Sequence, residues 1–356
     1  MKVCILGNGL SSLSLAQCLV NQGLYVDFFS SKKKSINDKN RTIGISSSNV
    51  EFINKNILNI NNLIWDIRAI EIYSEILENK KILDFENNNQ ILFSIVKNHE
   101  LINKLEINLS KNRNFRFKND IGSKILNKKE YKLIINCNKN HPITKKYFYK
   151  KINKDYDSYA FTTIINHKKI SNNVATQVFT KNGPLAFLPI SNSATSIVYS
   201  ARRIKNINFE ELINKYNFKY QNLEIGKTSS FKLVSLNLRN YYYKNILAFG
   251  DLLHRLHPLA GQGFNMTIRD IKELSKFIKL RIDCGLDLDN SICVDFENKT
   301  KHKNYIFSNG IDFIYEFFNF ESKINQDILS KSVKFFGKHK SISTFFTKIA
   351  DKGIIT

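Results

Sequence analysis

MKVCILGNGLSSLSLAQCLVNQGLYVDFFS, residues 1–30, decides the fold of this chain. Lys2–Gly7 is an apolar run of the length of one buried strand, and Gly7-Asn8-Gly9 breaks it. Residues 10–22 then read as a helix, with Leu10, Leu13, Leu15 and Leu19 among its apolar positions, and Gly23 closes it. Leu24–Phe29 is a second strand. Strand, glycine turn, helix and strand make the opening βαβ unit of a dinucleotide-binding fold. The turn reads Gly7-x-Gly9-x-x-Ser12 where the usual fingerprint is G-x-G-x-x-G. Gly7 permits the tight turn, Gly9 lets a pyrophosphate reach the backbone, and Ser12 is small enough for close helix–strand packing. The same glycine break argues against reading the N-terminus as a secretion signal.

One expected part is missing. A carboxylate should end the second strand and hold ribose hydroxyls, but that position is Ser30. Asp27 lies three residues early, and strand alternation puts it on the opposite face.

Downstream, residues 38–48 form a small polar segment around Arg41, followed by a helix at 48–58 and strands near 68–77 and 80–85. Residues 97–111 read as a helix with Leu101, Ile102, Leu105 and Leu109 on one side, and Tyr131–Cys137 as a buried strand. From 159 to 201 the pattern turns to short runs rich in β-branched and aromatic residues, an antiparallel sheet inserted in the first domain. A short helix at 209–217 and a strand at 229–237 follow, and residues 295–350 read as helices. The fold class is therefore α/β: a Rossmann-like domain interleaved with an antiparallel β-sheet domain, plus C-terminal helices. The expected boundaries are 1–67, 97–158 and 241–295 for the first, 68–96 and 159–240 for the second, and 296–356 for the helical region.

The second informative stretch is residues 245–275, NILAFGDLLHRLHPLAGQGFNMTIRDIKELS. A short apolar run ends in Gly250-Asp251, a loop carries His254, His257 and Pro258, and the Gly261-Gln262-Gly263 turn leads into a helix starting near Asn265. A carboxylate at a strand end suits a sugar-like chain of a long cofactor, although a turn aspartate also reads this way. The glycine turn offers free N–H groups to a flat ring, with Asn265 placed to cap the helix. His254 and His257 lack a third ligand at helical spacing, so a metal site is not expected.

This stretch resembles the GD-x-x-H-x-x-HP-x-AGQG-x-N-x-x-x-x-D block of the FAD-dependent aromatic-ring hydroxylases, and among them the ubiquinone-biosynthesis hydroxylase family. Gly250, Asp251, His254, His257, Pro258, Ala260, Gly261, Gln262, Gly263, Asn265 and Asp270 all fit. Asn182–Pro189 resembles the family's GPLALLP strand, Asp38–Ser46 its D-G-R-x-x-A-L-S segment, and Ala350–Gly353 its tail. The resemblance implies a glutathione-reductase-type FAD domain and hydroxylation of a polyprenylated phenolic ring with NAD(P)H and O₂, through a flavin C4a-hydroperoxide. It implies that Gly7, Gly9 and Ser12 cradle the FAD pyrophosphate, with Ser30 at the ribose position and Arg41 along the cofactor. Gly250 and Asp251 would bind near the ribityl chain. Pro258, Gly261, Gln262, Gly263, Phe264 and Asn265 would border the isoalloxazine, with His257 at the active-site cleft. The family's A-D-G signature here reads Cys137-Asn138-Lys139. With Ser30, that leaves a flavin-poor structural subunit of a quinone-biosynthesis complex as the alternative reading.

Composition bounds the rest. At 42% hydrophobic the chain is not disordered, and no run of about 18 apolar residues occurs to span a bilayer. The net charge is +23, but the lysines, including Lys32–Lys34, are scattered rather than striped, which gives no nucleic-acid signature. The five cysteines form no pair or ligand spacing, so a reducing cytoplasm is expected. A bilayer-resident substrate would place the protein at the inner-membrane surface, where Phe335, Phe336, Phe345 and Phe346 among the lysines of 331–350 fit an interfacial helix. Other ubiquinone-biosynthesis proteins are expected partners.

Overall fold

The computed structural model describes residues 1–30, 39–77, 80–86, 90–128, 130–257 and 261–324. The chain opens with β1 (Lys2–Leu6), α1 (Leu10–Asn21) and β2 (Tyr25–Ser30), matching the βαβ reading within a residue or two. Val3, Cys4, Ile5 and Leu6 are all at most 1% exposed, because a central parallel strand is covered on both faces. α1 buries nearly its whole circumference, from Leu10 to Val20, so it is an internal helix rather than a surface amphipathic one.

The chain continues through β3 (Thr42–Ser46), α2 (Ser47–Asn56), β4 (Ile64–Ile67), β5 (Ala69–Ser74), β6 (Lys80–Glu86), β7 (Phe93–Lys97), α3 (Asn98–Ser110), β8 (Phe115–Asn119), β9 (Leu133–Asn136) and α4 (Pro142–Tyr147). Three of these strands go beyond the sequence reading: β3, β7 and β4 pair as a small antiparallel sheet in that order. Residues 42–46, read in sequence only as part of a small polar segment, are thus a strand. The alternation Ile43, Ile45 buries two apolar side chains while polar neighbours mask the signal. Edge strand β8 was equally silent, since only Phe115 of its five residues is buried.

The second half builds the large sheet from β10 (Lys151–Asn166), β11 (Val174–Thr180), β12 (Gly183–Pro189), β13 (Ala194–Arg202), β14 (Glu224–Ile225) and β15 (Ser229–Leu238), with α5 (Phe209–Tyr216) between β13 and β14. The chain then returns through β16 (Tyr242–Tyr243), β17 (Ile246–Ala248), β18 (His254–Arg255), α6 (Gln262–Asp283) and α7 (Asn290–Ile324).

Two sheets position everything else. The first runs β16-β17-β9-β1-β2-β8, and β17, β9, β1, β2 and β8 are mutually parallel. The chain leaves β1 toward β2 on one side, while β9 lies on the other. In such a sheet the crevice for a ligand opens at the carboxyl ends of the strands around that switch. The second runs β18-β15-β10-β13-β12-β11-β5-β6 with β14 paired to β10, antiparallel except for β11 with β5. α6 and α7 lie across it, and Phe179, Leu256, Met266, Phe307 and Ile311 form one apolar cluster there. No helix among the described residues is long and apolar enough to cross a membrane. The segment 331–350, the tail Ala350–Gly353, the lysines 32–34, Asp38, Pro258 and Ala260 lie outside the described residues.

Candidate functional site

The carboxyl ends of the parallel strands are tied to one another by backbone bonds. Gly7 N–H donates to Phe29 O (3.0 Å), Cys137 N–H to Leu6 O (2.8 Å) and Phe249 N–H to Asn136 O (2.9 Å). The turns after β1, β9 and β17 therefore form one continuous rim. A Cβ on Gly7 would stand 2.9 Å from Ser12 Cβ and 3.1 Å from Cys137 Cβ, so no larger residue fits beneath the rim. A Cβ on Gly9, in contrast, would meet nothing within 4 Å. Gly9 is open toward the crevice.

Ser12 does a different job from its neighbours. It is 1% exposed, its Oγ accepts from Gly9 N–H (3.1 Å) and donates to Gly9 O (2.8 Å). It braces the turn from below rather than facing a ligand. The first helical bond of α1 is Leu13 N–H to Gly9 O (3.1 Å), so the amides of the preceding first turn stay available to an anion.

Gly250 sits at φ +64°, and a Cβ there would come within 2.8 Å of Ser11 Cβ on the first turn of α1. That contact locks the end of β17 against the α1 N-terminus and sets Asp251, which is exposed, at the rim. Burial first, and the Asp251 carboxylate second, push the Cys137 thiol up. Arg41 lies just before β3; its side chain is exposed and its carbonyl accepts from Asn98 N–H (3.0 Å).

α6 begins at Gln262, three residues before the sequence reading, and its N-cap is Gly261 at φ +64°. Asn265 is therefore not the cap. It is 2% exposed and its amide is used entirely by protein. Oδ1 accepts from Ser46 N–H (2.9 Å) and from Asn49 Nδ2 (2.9 Å); Nδ2 donates to Gly44 O (3.0 Å) and Gly261 O (3.4 Å). A Cβ on Gly261 would lie 3.4 Å from Gly44 N, so the turn and β3 touch backbone to backbone. Gln262 is buried and accepts from Arg269 (3.0 Å), Phe264 is half-buried on the main core, and Gly263 is exposed with nothing within 4 Å of a Cβ. Gly263 is the open face of the turn.

The two histidines separate. His254 Nε2 is 2.5 Å from Asp270 Oδ2, Asp270 Oδ1 accepts from Asn304 (3.0 Å), and the His254–Asp270 pair is buried. This link fastens β18, α6 and α7. His257, expected at the cleft, is instead fully buried, stacked on Tyr315 (4.0 Å between centroids) and edge-on to Tyr156 (5.0 Å). An imidazole in aromatic surroundings loses its hydration, so burial, helped by the Lys154 charge, lowers its pKa to about 3. Between pH 6.5 and about 3 the unfolded chain takes up a proton that the native ring refuses, so native stability falls as pH falls through that window. His257→Phe should remove about 1.4 kcal/mol per pH unit of that slope. Denaturant titrations at pH 7, 6 and 5 read it, and parallel slopes for both proteins would refute the assignment.

Asp27, on the face opposite Ser30, serves the fold. Burial alone would raise its pKa, but Lys118 (2.6 Å), Tyr131 (2.5 Å) and Lys2 (2.9 Å) outweigh it and hold the carboxyl below its usual range. The departures in the β9 turn are accommodated too. Asn138 Oδ1 accepts from Asn140 N–H (3.0 Å), and Lys139 is not among the residues at positive φ, so that position does not need glycine here.

Parallel strands with a glycine turn, a second sheet under the α6 N-terminus and a long closing helix define the architecture of FAD-dependent monooxygenases. Solved structures agree. p-Nitrophenol 4-monooxygenase PnpA from Pseudomonas putida superposes with a TM-score of 0.78 at 10% identity, over 99% of this chain and 98% of that one. HpxO from Klebsiella pneumoniae, complexed with FAD and uric acid, gives 0.75 at 10% identity over 98% and 96%. At such identities the likeness is one of fold. No family model matches the chain.

In sequence, the chain is similar to ubiquinone biosynthesis monooxygenases. It is 23% identical over 230 residues to the mitochondrial monooxygenase COQ6 of Schizosaccharomyces pombe, covering 51% of this chain and 48% of that protein. It is 27% identical over 154 residues to the 3-demethoxyubiquinol 3-hydroxylase of Escherichia coli, covering 40% and 39%. The chain thus matches about half or less of the length of these relatives.

FAD fits what the residues offer. Gly9 and Gly263 leave open backbone, the α1 first turn presents amides, and Asp251 stands exposed at the end of β17. Ser30, half-buried at the end of β2, is the position that does not supply what the cofactor wants.

Proposed function

We propose that this chain is an FAD-dependent monooxygenase that hydroxylates a polyprenylated phenolic ring in ubiquinone biosynthesis, with NAD(P)H as external reductant and O₂ as oxidant. The observation that carries the reading is the Asn265 clip, which holds the Gly261–Gly263 turn against β3 with every bond of the amide used. The bound flavin would supply oxygen activation, chemistry that no protein side chain provides. In this reading the α1 first turn and Gly9 take the pyrophosphate, Asp251 the ribityl side, and the turn with Gly263 lies along the ring. Arg41 runs along the cofactor. Ser12, Gln262 and Asn265 position these groups from behind.

The substrate's apolar tail places the reaction at a bilayer surface, where a net charge of +23 favours anionic lipid. Partners among the ubiquinone-biosynthesis proteins and a peripheral site at the inner membrane belong to the same proposal. The test is NAD(P)H oxidation by the FAD-loaded protein, with and without a polyprenylated phenol in vesicles. Stimulation with formation of a hydroxylated ring is expected; oxidation that ignores the phenol sinks the substrate class.

A further inference from the structure

The inference begins at the position that does not fit. β2 ends in Ser30, which has no charge to offer where this fold ordinarily presents a carboxylate. The neighbouring strand supplies one. β8 runs parallel to β2 with Ser30 paired to Asn119, and the next residue, Asp120, donates its N–H to Ser30 O (3.2 Å). Asp120 therefore stands on the same rim, one strand spacing away, about 4.8 Å.

Its carboxylate is held in one orientation. Oδ1 accepts from Gly122 N–H (2.8 Å) and is 3.1 Å from His141 Nε2. His141 is 1% exposed, and its Nδ1 accepts from Ile143 N–H (3.2 Å). A ring nitrogen that accepts carries no proton, so the proton is on Nε2 and is donated to Asp120. Both anchoring bonds fall on Oδ1. Oδ2 has no partner among the described residues, and the side chain is 21% exposed. A carboxylate with one oxygen tethered to a buried histidine and the other facing out is pre-organised to accept a hydrogen bond from a ligand.

We propose that Asp120, positioned by His141, replaces the missing strand-end carboxylate and accepts a hydrogen bond from the adenosine half of FAD. The inference rests on the FAD reading above. The adenosine half carries donors of the right kind, the ribose hydroxyls and the adenine amino group, and a carboxylate only accepts. Displacement by one strand explains why a spacing rule counted from Gly7 does not reach it.

The test is an equilibrium titration of the flavin-free protein with FAD, for wild type and Asp120→Asn, alongside the melting temperature of each without flavin. The asparagine keeps an oxygen for Gly122 and His141 but loses the charge. Its dissociation constant for FAD is expected to rise about tenfold or more. The flavin-free melting temperature should stay within about 2 °C of wild type. Equal FAD affinity overturns the inference. So does a weaker affinity accompanied by a large fall in the flavin-free melting temperature, which would assign Asp120 to the fold. A wild-type protein that takes up no FAD overturns the proposed function itself, a result distinguishable from either.

Discussion

Asn265→Leu is expected to lower folding stability by about 3–5 kcal/mol and to abolish flavin uptake. Leucine has nearly the asparagine's shape, so the loss is one of hydrogen bonds rather than volume. It strands Ser46 N–H and Gly44 O, which Asn265 satisfies at 2.9 and 3.0 Å in a buried setting, and leaves Asn49 Nδ2 with only its 3.3 Å bond to the backbone carbonyl of residue 265. Each buried group left without a partner costs about 1–3 kcal/mol. The same bonds tie the α6 N-terminus to β3 and α2, so the turn at Gly261–Gly263 would lose its support. Asn49→Ala makes the control, since it removes one donor while Asn265 keeps Ser46 N–H and Gly44 O; about 1 kcal/mol is expected. Chemical denaturation with an FAD titration reads both. A leucine variant within 1 kcal/mol of wild type, by the same measure, would show the clip to be idle.

The second large effect is expected at Gly250. Valine there meets two obstacles: a backbone at φ +64° that β-branched residues rarely adopt, and a Cβ 2.8 Å from Ser11 Cβ. Strain of about 1–3 kcal/mol comes from the backbone alone. The clash adds to it, and relief requires β17 to move away from the first turn of α1. Those two elements carry Asp251 and the free amides, so FAD affinity should fall by about a hundredfold or more, as when two charge-assisted contacts are lost together. Ser11→Gly in the Gly250→Ala background should recover part of the stability by removing the contact, but not the part that φ costs. If the double variant is no better than Gly250→Ala, the Ser11 contact is not what holds the two elements together.

How far the sequence carries depends on how local each signal is. β1, α1 and β2 were legible because Gly7 and Gly9 punctuate an apolar run within a few residues. β17 and its aspartate were legible for the same reason. β3, β4 and β7 were not: each is four or five residues long, and their mutual pairing, not their composition, makes them strands. Asn265 reads as a helix cap in sequence because Ser46, Asn49 and Gly44, which its amide bonds, lie about 220 residues away. Nothing in a heptapeptide reveals them. His257 shows the opposite limit, since a histidine in a ligand-rich motif looks chemical until Tyr156 and Tyr315 are seen to enclose it. Asp120 carries no spacing signature at all; only the pairing of β8 with β2 brings it beside Ser30.

The α1 N-terminus, Asp251 and the α6 turn are proposed to hold one flavin, and the most direct test is the flavin content of the purified chain after incubation with FAD and removal of the excess. A yellow protein with stoichiometric FAD, which Gly250→Val fails to retain, is the expected result. A colourless wild-type protein, folded by its melting transition yet without bound flavin at saturating FAD, would contradict the proposal and leave a monooxygenase fold that does not use its cofactor.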